Sequence, residues 1–143
     1  MSAITYLEGI DKFNSLRLRG DLEQLWARVT HHCQCLLSVE ELNGGKSVRQ
    51  RRDAGIRFVP IDRIVGSVGR RHDFTRSFLP LAGANAGRWA QIYEAINSAH
   101  GVPEIELLKI GEAYVVEDGH HRISAGRAAG LDQIAAYVVE VLG

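Results

Sequence analysis

The chain has 143 residues, balances 17 lysines and arginines against 17 aspartates and glutamates, and is 45% apolar. That length suits one domain able to bury a core, the composition argues against a largely disordered chain, and zero formal charge argues against adhesion to nucleic acid through overall charge. No apolar run is long enough to span a bilayer, and the opening MSAITYLEGI lacks the basic flank and apolar core of a secretory signal, so a cytoplasmic protein with no membrane partner is expected.

In chain order, residues 1–45 read as a helical arm. Phe13 and Leu16 form a short apolar face, and Leu22, Leu25, Trp26, Val29, Cys33 and Leu36 continue it at three-, four- and seven-residue spacings. Two helices, or one bent at Gly20, would satisfy the pattern. Within HHCQC, His31 and Cys35 are four apart and could reach one metal ion on a helix, but no third or fourth ligand is identifiable. Cys33 instead falls on the apolar stripe, where a cysteine behaves as a small hydrophobe, so no metal site is expected. The two cysteines, one residue apart, suit neither a disulfide framework nor a four-cysteine zinc site, and fit a reducing compartment. SVEEL places Ser38 three residues before Glu41, the reciprocal cap that starts a helix, and Gly44 and Gly45 stop it.

From Lys46 to Arg76 the chain is locally cationic, with Lys46, Arg49, Arg51, Arg52, Arg57, Arg63, Arg70, Arg71 and Arg76 against Asp53, Asp62 and Asp73. Arginine grips carboxylate and phosphate oxygens with a planar fork, so a nucleic-acid backbone track is one reading and a salt-bridged surface the other. GIRFVPIDRIVG is β-rich with Pro60 inside, which predicts a short or edge strand and a turn. GSVGRRHDF is a glycine-punctuated loop. Between Asn85 and His100, Trp89, Ile92, Tyr93 and Ile96 recur at helical spacing. EIELLKIG and EAYVVED form a hairpin about Gly111 and Glu112; a helix from about His120 to Ala129 and a last strand, QIAAYVVEVL, follow. The expected fold class is α/β of the α+β kind, a small mixed sheet packed on helices.

The most chemically loaded run is EDGHHRISAGRAAG, Glu117 to Gly130. A strand, then Asp118 as a cap, Gly119 as a turn, and a helix opening on His120, His121 and Arg122 set unpaired N–H groups and the positive helix end beside cationic side chains. An anion is the natural guest, and Ser124 adds a hydroxyl near the same end. Against this, a histidine near a helix start is commonly a structural hydrogen-bonder, and adjacent histidines point in different directions and make a poor metal pair.

The blocks VPIDRIVGSVGRRHDF, IYEAINSAHG and GVPEIELLKIGEAYVVEDGHHRISAGRAAG occur in an order that resembles the ParB/sulfiredoxin superfamily, over roughly Ile56 to Val141. The resemblance implies a domain over residues 56–143 that binds a nucleotide (CTP, ATP or ADP, with or without Mg²⁺) or another phosphorylated ligand. Gly119 and Arg122 match the ParB Gly-Glu-Arg-Arg box, His121 and Arg122 match the phosphate-contacting pair of sulfiredoxins, and Arg70 or Arg71 matches an arginine of the ParB opening loop. His120 stands where sulfiredoxins keep their catalytic cysteine, so sulfinic-acid reduction is not expected. The regions that give partition ParB proteins their helix-turn-helix and dimer contacts have no counterpart, so clamp-type DNA binding is not expected either. Alternatives are a nuclease with His120 or His121 as acid/base, a kinase of free serine for which Glu117 and Asp118 are the nearby carboxylates, and a regulatory module that forms a homodimer through the arm.

Overall fold

A computed structural model describes residues 5–32, 35–45, 50–69, 72–98 and 101–142. Arg70 and Arg71, with Lys46, Arg49 and Cys33, lie outside the described residues. The elements run α1 (Tyr6–Thr30), α2 (Val39–Leu42), β1 (Gln50–Pro60), a 3-10 turn (Ile61–Arg63), β2 (Ile64–Ser67), α3 (Ala86–Ile96), β3 (Ile105–Ile110), β4 (Ala113–Asp118), α4 (His120–Ala128) and β5 (Gln133–Leu142). The result is a mixed α/β fold with a five-stranded sheet in the order β1-β5-β3-β4-β2. Both β1, antiparallel to β5, and β2, parallel to β4, are edge strands, and only three residues join them.

Strand periodicity explains the two layers. On β3, Ile105 and Leu107 face one side while Leu108 and Ile110 face the other; β4 divides Tyr114 and Val116 from Val115, and β5 divides Ile134, Ala136 and Val138 from Val139 and Val141. The first side receives Phe13 and Leu16 of α1, Trp89 of α3, and Ile123 and Ala125 of α4. The second is covered by Val39 and Leu42 of α2. The short helix α2 starts as its sequence predicts, with Ser38 accepting from the Glu41 N–H at 3.1 Å and its hydroxyl donating to the Glu41 carboxylate at 3.2 Å. Helix α3 likewise opens on Asn85, whose side chain accepts from the Arg88 N–H at 2.9 Å.

The arm takes the one-helix form of its two expected alternatives and departs from expectation in two further respects. A single helix runs through Gly20, where the missing side chain lets α1 lie against the Pro80 carbonyl; a Cβ there would stand 2.5 Å from that oxygen. The helix ends at His31, which adopts the left-handed conformation, so His31 and Cys35 do not share a helix and Leu36 reaches the core from a loop. Finally, the supposed core stripe faces water: Leu22 and Leu25 are each 57% exposed, Val29 66% and Trp26 68%. Only Gly9, Phe13, Leu16 and Gly20 of α1 are buried. Phe13 meets the Trp89 ring edge-on at 5.7 Å, so the first half of α1 shares the core of the sheet.

Candidate functional site

The site is built where β4 hands over to α4. Gly119 has φ +116°, and a Cβ on it would stand 2.4 Å from Ile105 Cγ2, so both backbone conformation and space demand glycine. Gly119 also occupies the cap position without a side-chain bond; Asp118, expected to cap, instead pairs with Arg122 at 2.9 Å. The first intrahelical bond runs from the Ile123 N–H to the Gly119 carbonyl, 2.9 Å. The N–H groups before it have no acceptor within the helix, as at every helix start.

The two histidines diverge and are both buried. His120 Nε2 lies 2.6 Å from Ser67 Oγ at the end of β2, and its ring stacks on Phe74. His121 Nε2 accepts the Asn85 N–H at 2.9 Å, pinning the start of α3, and meets Phe74 edge-on at 5.2 Å. Accepting at Nε2 assigns the neutral His121 ring its proton at Nδ1. Arg122 bonds the carbonyls of Pro103 at 3.2 Å and Glu104 at 2.8 Å as well as Asp118, so it ties the approach to β3 onto α4. Ser124 donates to the Phe78 carbonyl at 2.6 Å and accepts from Trp89 Nε1 at 2.9 Å. Its hydroxyl is thereby turned into the core, one turn further along the helix than the pocket.

A pocket of about 120 Å³ remains at the helix start, lined by Arg88, Ile92, Glu117, Asp118, Gly119, His120, His121 and Arg122. It brings together six of the site residues named from the sequence, Glu117, Asp118, Gly119, His120, His121 and Arg122, and leaves Ser124 outside its lining. Arg88, Ser67, Asn85 and Phe74 were not foreseen. Only Arg88 carried a local signal, an exposed cation in the first turn of a capped helix. The partnership of Ser67 with His120 spans 53 residues.

The other candidate regions read differently. The described arginines of the basic segment are bonded within the protein: Arg51 to Glu117, Arg52 to Glu140, Arg57 to the Ala54 carbonyl, Arg63 to Glu112 and Arg76 to the Cys35 carbonyl. These contacts are spread over different strands and turns rather than along one track. The Arg52 guanidinium, by its hydrogen bond and charge, holds the Glu140 carboxyl below its usual range. On the same strand pair, the Asp53 charge raises the Tyr137 phenol above its ordinary value. His31 and Cys35 line a separate cavity of about 490 Å³ between the end of α1 and residues 72–81. Cys35 is disulfide-bonded, which the close cysteine spacing gave no reason to expect, and so offers no thiolate to a metal. Among the described residues no three His, Cys, Asp or Glu side chains are grouped to hold a metal ion. No described helix is long and apolar enough to cross a membrane.

No family model matches the chain, and no curated protein sequence matches it. The structure is similar to a crystal structure of sulfiredoxin from Arabidopsis thaliana, with a TM-score of 0.46 and 17% identity over 58% of this chain and 82% of that one. The likeness is one of outline and assigns no role to any residue.

Proposed function

We propose that the pocket at the start of α4 binds the phosphate of a nucleotide (CTP, ATP or ADP) or of another small phosphorylated molecule. One observation carries this: Arg88 from α3 and Arg122, His120 and His121 from α4 converge on a helix N terminus around a single small pocket. The helix end offers N–H groups and a positive partial charge, and a guanidinium adds charge-assisted hydrogen bonds to an anionic oxygen. Volume limits the guest. At about 120 Å³ the pocket is well below the roughly 300–1,000 Å³ that encloses a drug-sized ligand, so it receives a phosphate while the remainder of the ligand lies along the surface.

The roles divide by burial. Arg122, whose side chain is 12% exposed, is already held by Pro103, Glu104 and Asp118 and supplies fixed charge. Arg88 is exposed and closes over the anion from the other side. The histidines hold the helix start in register with β2 and α3 through Ser67 and Asn85, and so keep the two helices at the spacing the anion requires.

Titration calorimetry with CTP, ATP, ADP and inorganic phosphate, each with and without Mg²⁺, tests the reading. Binding that weakens about tenfold or more in Arg88→Ala, in line with a lost charge-assisted bond, is the expected outcome. No heat with any of the four, or unchanged affinity in both Arg88→Ala and Arg122→Ala, overturns it.

A further inference from the structure

The second half of α1 carries a seam that the monomer leaves uncovered. Leu18 is 61% exposed, Leu22 and Leu25 are each 57%, and Val29 is 66%. Scattered surface leucines need no explanation, but these follow one another at steps of four, three and four. That is the spacing of a two-helix coiled-coil seam, with Leu22 and Val29 at one core position of the heptad and Leu18 and Leu25 at the other. The stripe breaks off towards the start of the helix, where Ser15 and Asp11 take the next two seam positions. The buried face, Gly9, Phe13, Leu16 and Gly20, lies on the other side of the helix, so the seam is free of the domain's own core.

We propose that this seam is a homodimer interface in which α1 of one chain pairs antiparallel with α1 of a second copy. Charge on the flanking positions selects both occupant and direction. With Leu22 opposite Leu25 of the second copy and Leu18 opposite its Val29, the flanking residue Asp21 of each chain faces Arg28 of the other. On the opposite flank Arg19 of each chain faces Trp26 of the other, a cation over an aromatic ring. Each contact occurs twice about one twofold axis, as a self-complementary interface requires. In a parallel pair the flanking partners five residues apart would be Asp21 with Trp26 and Asn14 with Arg19, which gives neither an ion pair nor a cation–π contact. Exposed ion pairs add little affinity, so the charges set orientation while the leucines, Val29 and Trp26 supply the association. Asp21 already bonds Arg17 of its own chain at 3.3 Å through one carboxylate oxygen, and a carboxylate can accept from a second arginine.

Sedimentation equilibrium of the full chain over a wide concentration range tests the proposal. The wild type is expected to show a concentration-dependent dimer. Leu22→Glu, at an exposed position that leaves the monomer's core intact, is expected to weaken it by more than about 100-fold, because each dimer loses two buried leucines and gains two buried charges. Asp21→Arg and Arg28→Asp are each expected to weaken the dimer by like-charge contact, and the double variant to restore it. A wild type that stays monomeric at every concentration, or a dimer indifferent to Leu22→Glu, overturns the interface. A double charge swap that fails to rescue overturns the antiparallel register. Circular dichroism of each variant separates lost association from lost folding.

Discussion

The start of α4 and the outer face of α1 are opposite inversions of ordinary partition. At α4, His120, His121 and Ser124 are buried and bonded to groups of distant elements; on the second half of α1, five large apolar side chains stand in water. Buried polar groups and exposed apolar rows are the two observations about burial that carry information, since a lone exposed leucine or a solvated lysine is the expected background. The difference between them is energetic. The polar groups at α4 are satisfied within one chain, so their bonds contribute to folding. The apolar row contributes almost nothing to folding and becomes favourable only when something covers it.

Substitutions should therefore separate the two regions. The largest expected effect is Gly119→Ala, which imposes a strained positive φ and drives a methyl into Ile105; chemical denaturation should show a loss of about 3 kcal/mol or more. An unchanged midpoint would break the account of the β4–α4 turn. Ser124→Ala removes the acceptor of the buried Trp89 N–H and the donor to the Phe78 carbonyl, and should cost about 1–3 kcal/mol. By contrast, Leu25→Ser on the outer face of α1 should change monomer stability by no more than about 0.5 kcal/mol when measured in dilute solution. A large loss there would place the stripe in the core after all.

The smallest effect concerns pH. Glu140 has its carboxyl pKa lowered by Arg52, so this pair stabilises the fold above the pKa of the unfolded carboxylate, and that contribution fades as pH falls through the lower, folded value. Because both side chains are solvent-accessible, the change in stability is slight, and the direct measurement is the carboxyl titration by NMR. In Arg52→Ala the Glu140 midpoint should move up towards the ordinary carboxylate value.

The parts of the fold legible in advance are those where one local signal decides. Alternation along residues 105–118 with a turn at Gly111, the Ser38 cap, and the change of period at Gly119 each correspond to an observed boundary. The α1 stripe was legible as a face and illegible as to its cover. Periodicity reports that Leu22, Leu25 and Val29 share a side, while the choice of buried side was made by Gly9 and Gly20, which let α1 approach α3 and the Pro80 segment closely. At the candidate site, Gly119, His120, His121 and Arg122 were visible because they are adjacent in the chain. What holds them was not visible: Ser67, Asn85 and the carbonyls of Pro103 and Glu104 come from positions between 18 and 53 residues away, where no local pattern points to α4.

The connection between β1 and β2 has a mechanical meaning. These strands occupy the two outer edges of the sheet, and in a flat sheet four spacings of about 4.8 Å would hold them roughly 19 Å apart. From Pro60 to Ile64 the chain advances four residues, which reach at most about 14 Å even when fully extended. Pro60 lies beside the start of β5 while Ile64 lies beside the start of β4, at the opposite end of the sheet, so the sheet must twist strongly for this short link to fasten the end of one border to the beginning of the other. The fastening is secured by the Ile61 N–H on the Asp132 carbonyl, Asp62 on Arg127 and Arg63 on Glu112. Neither edge strand can peel away from that junction without drawing on the other.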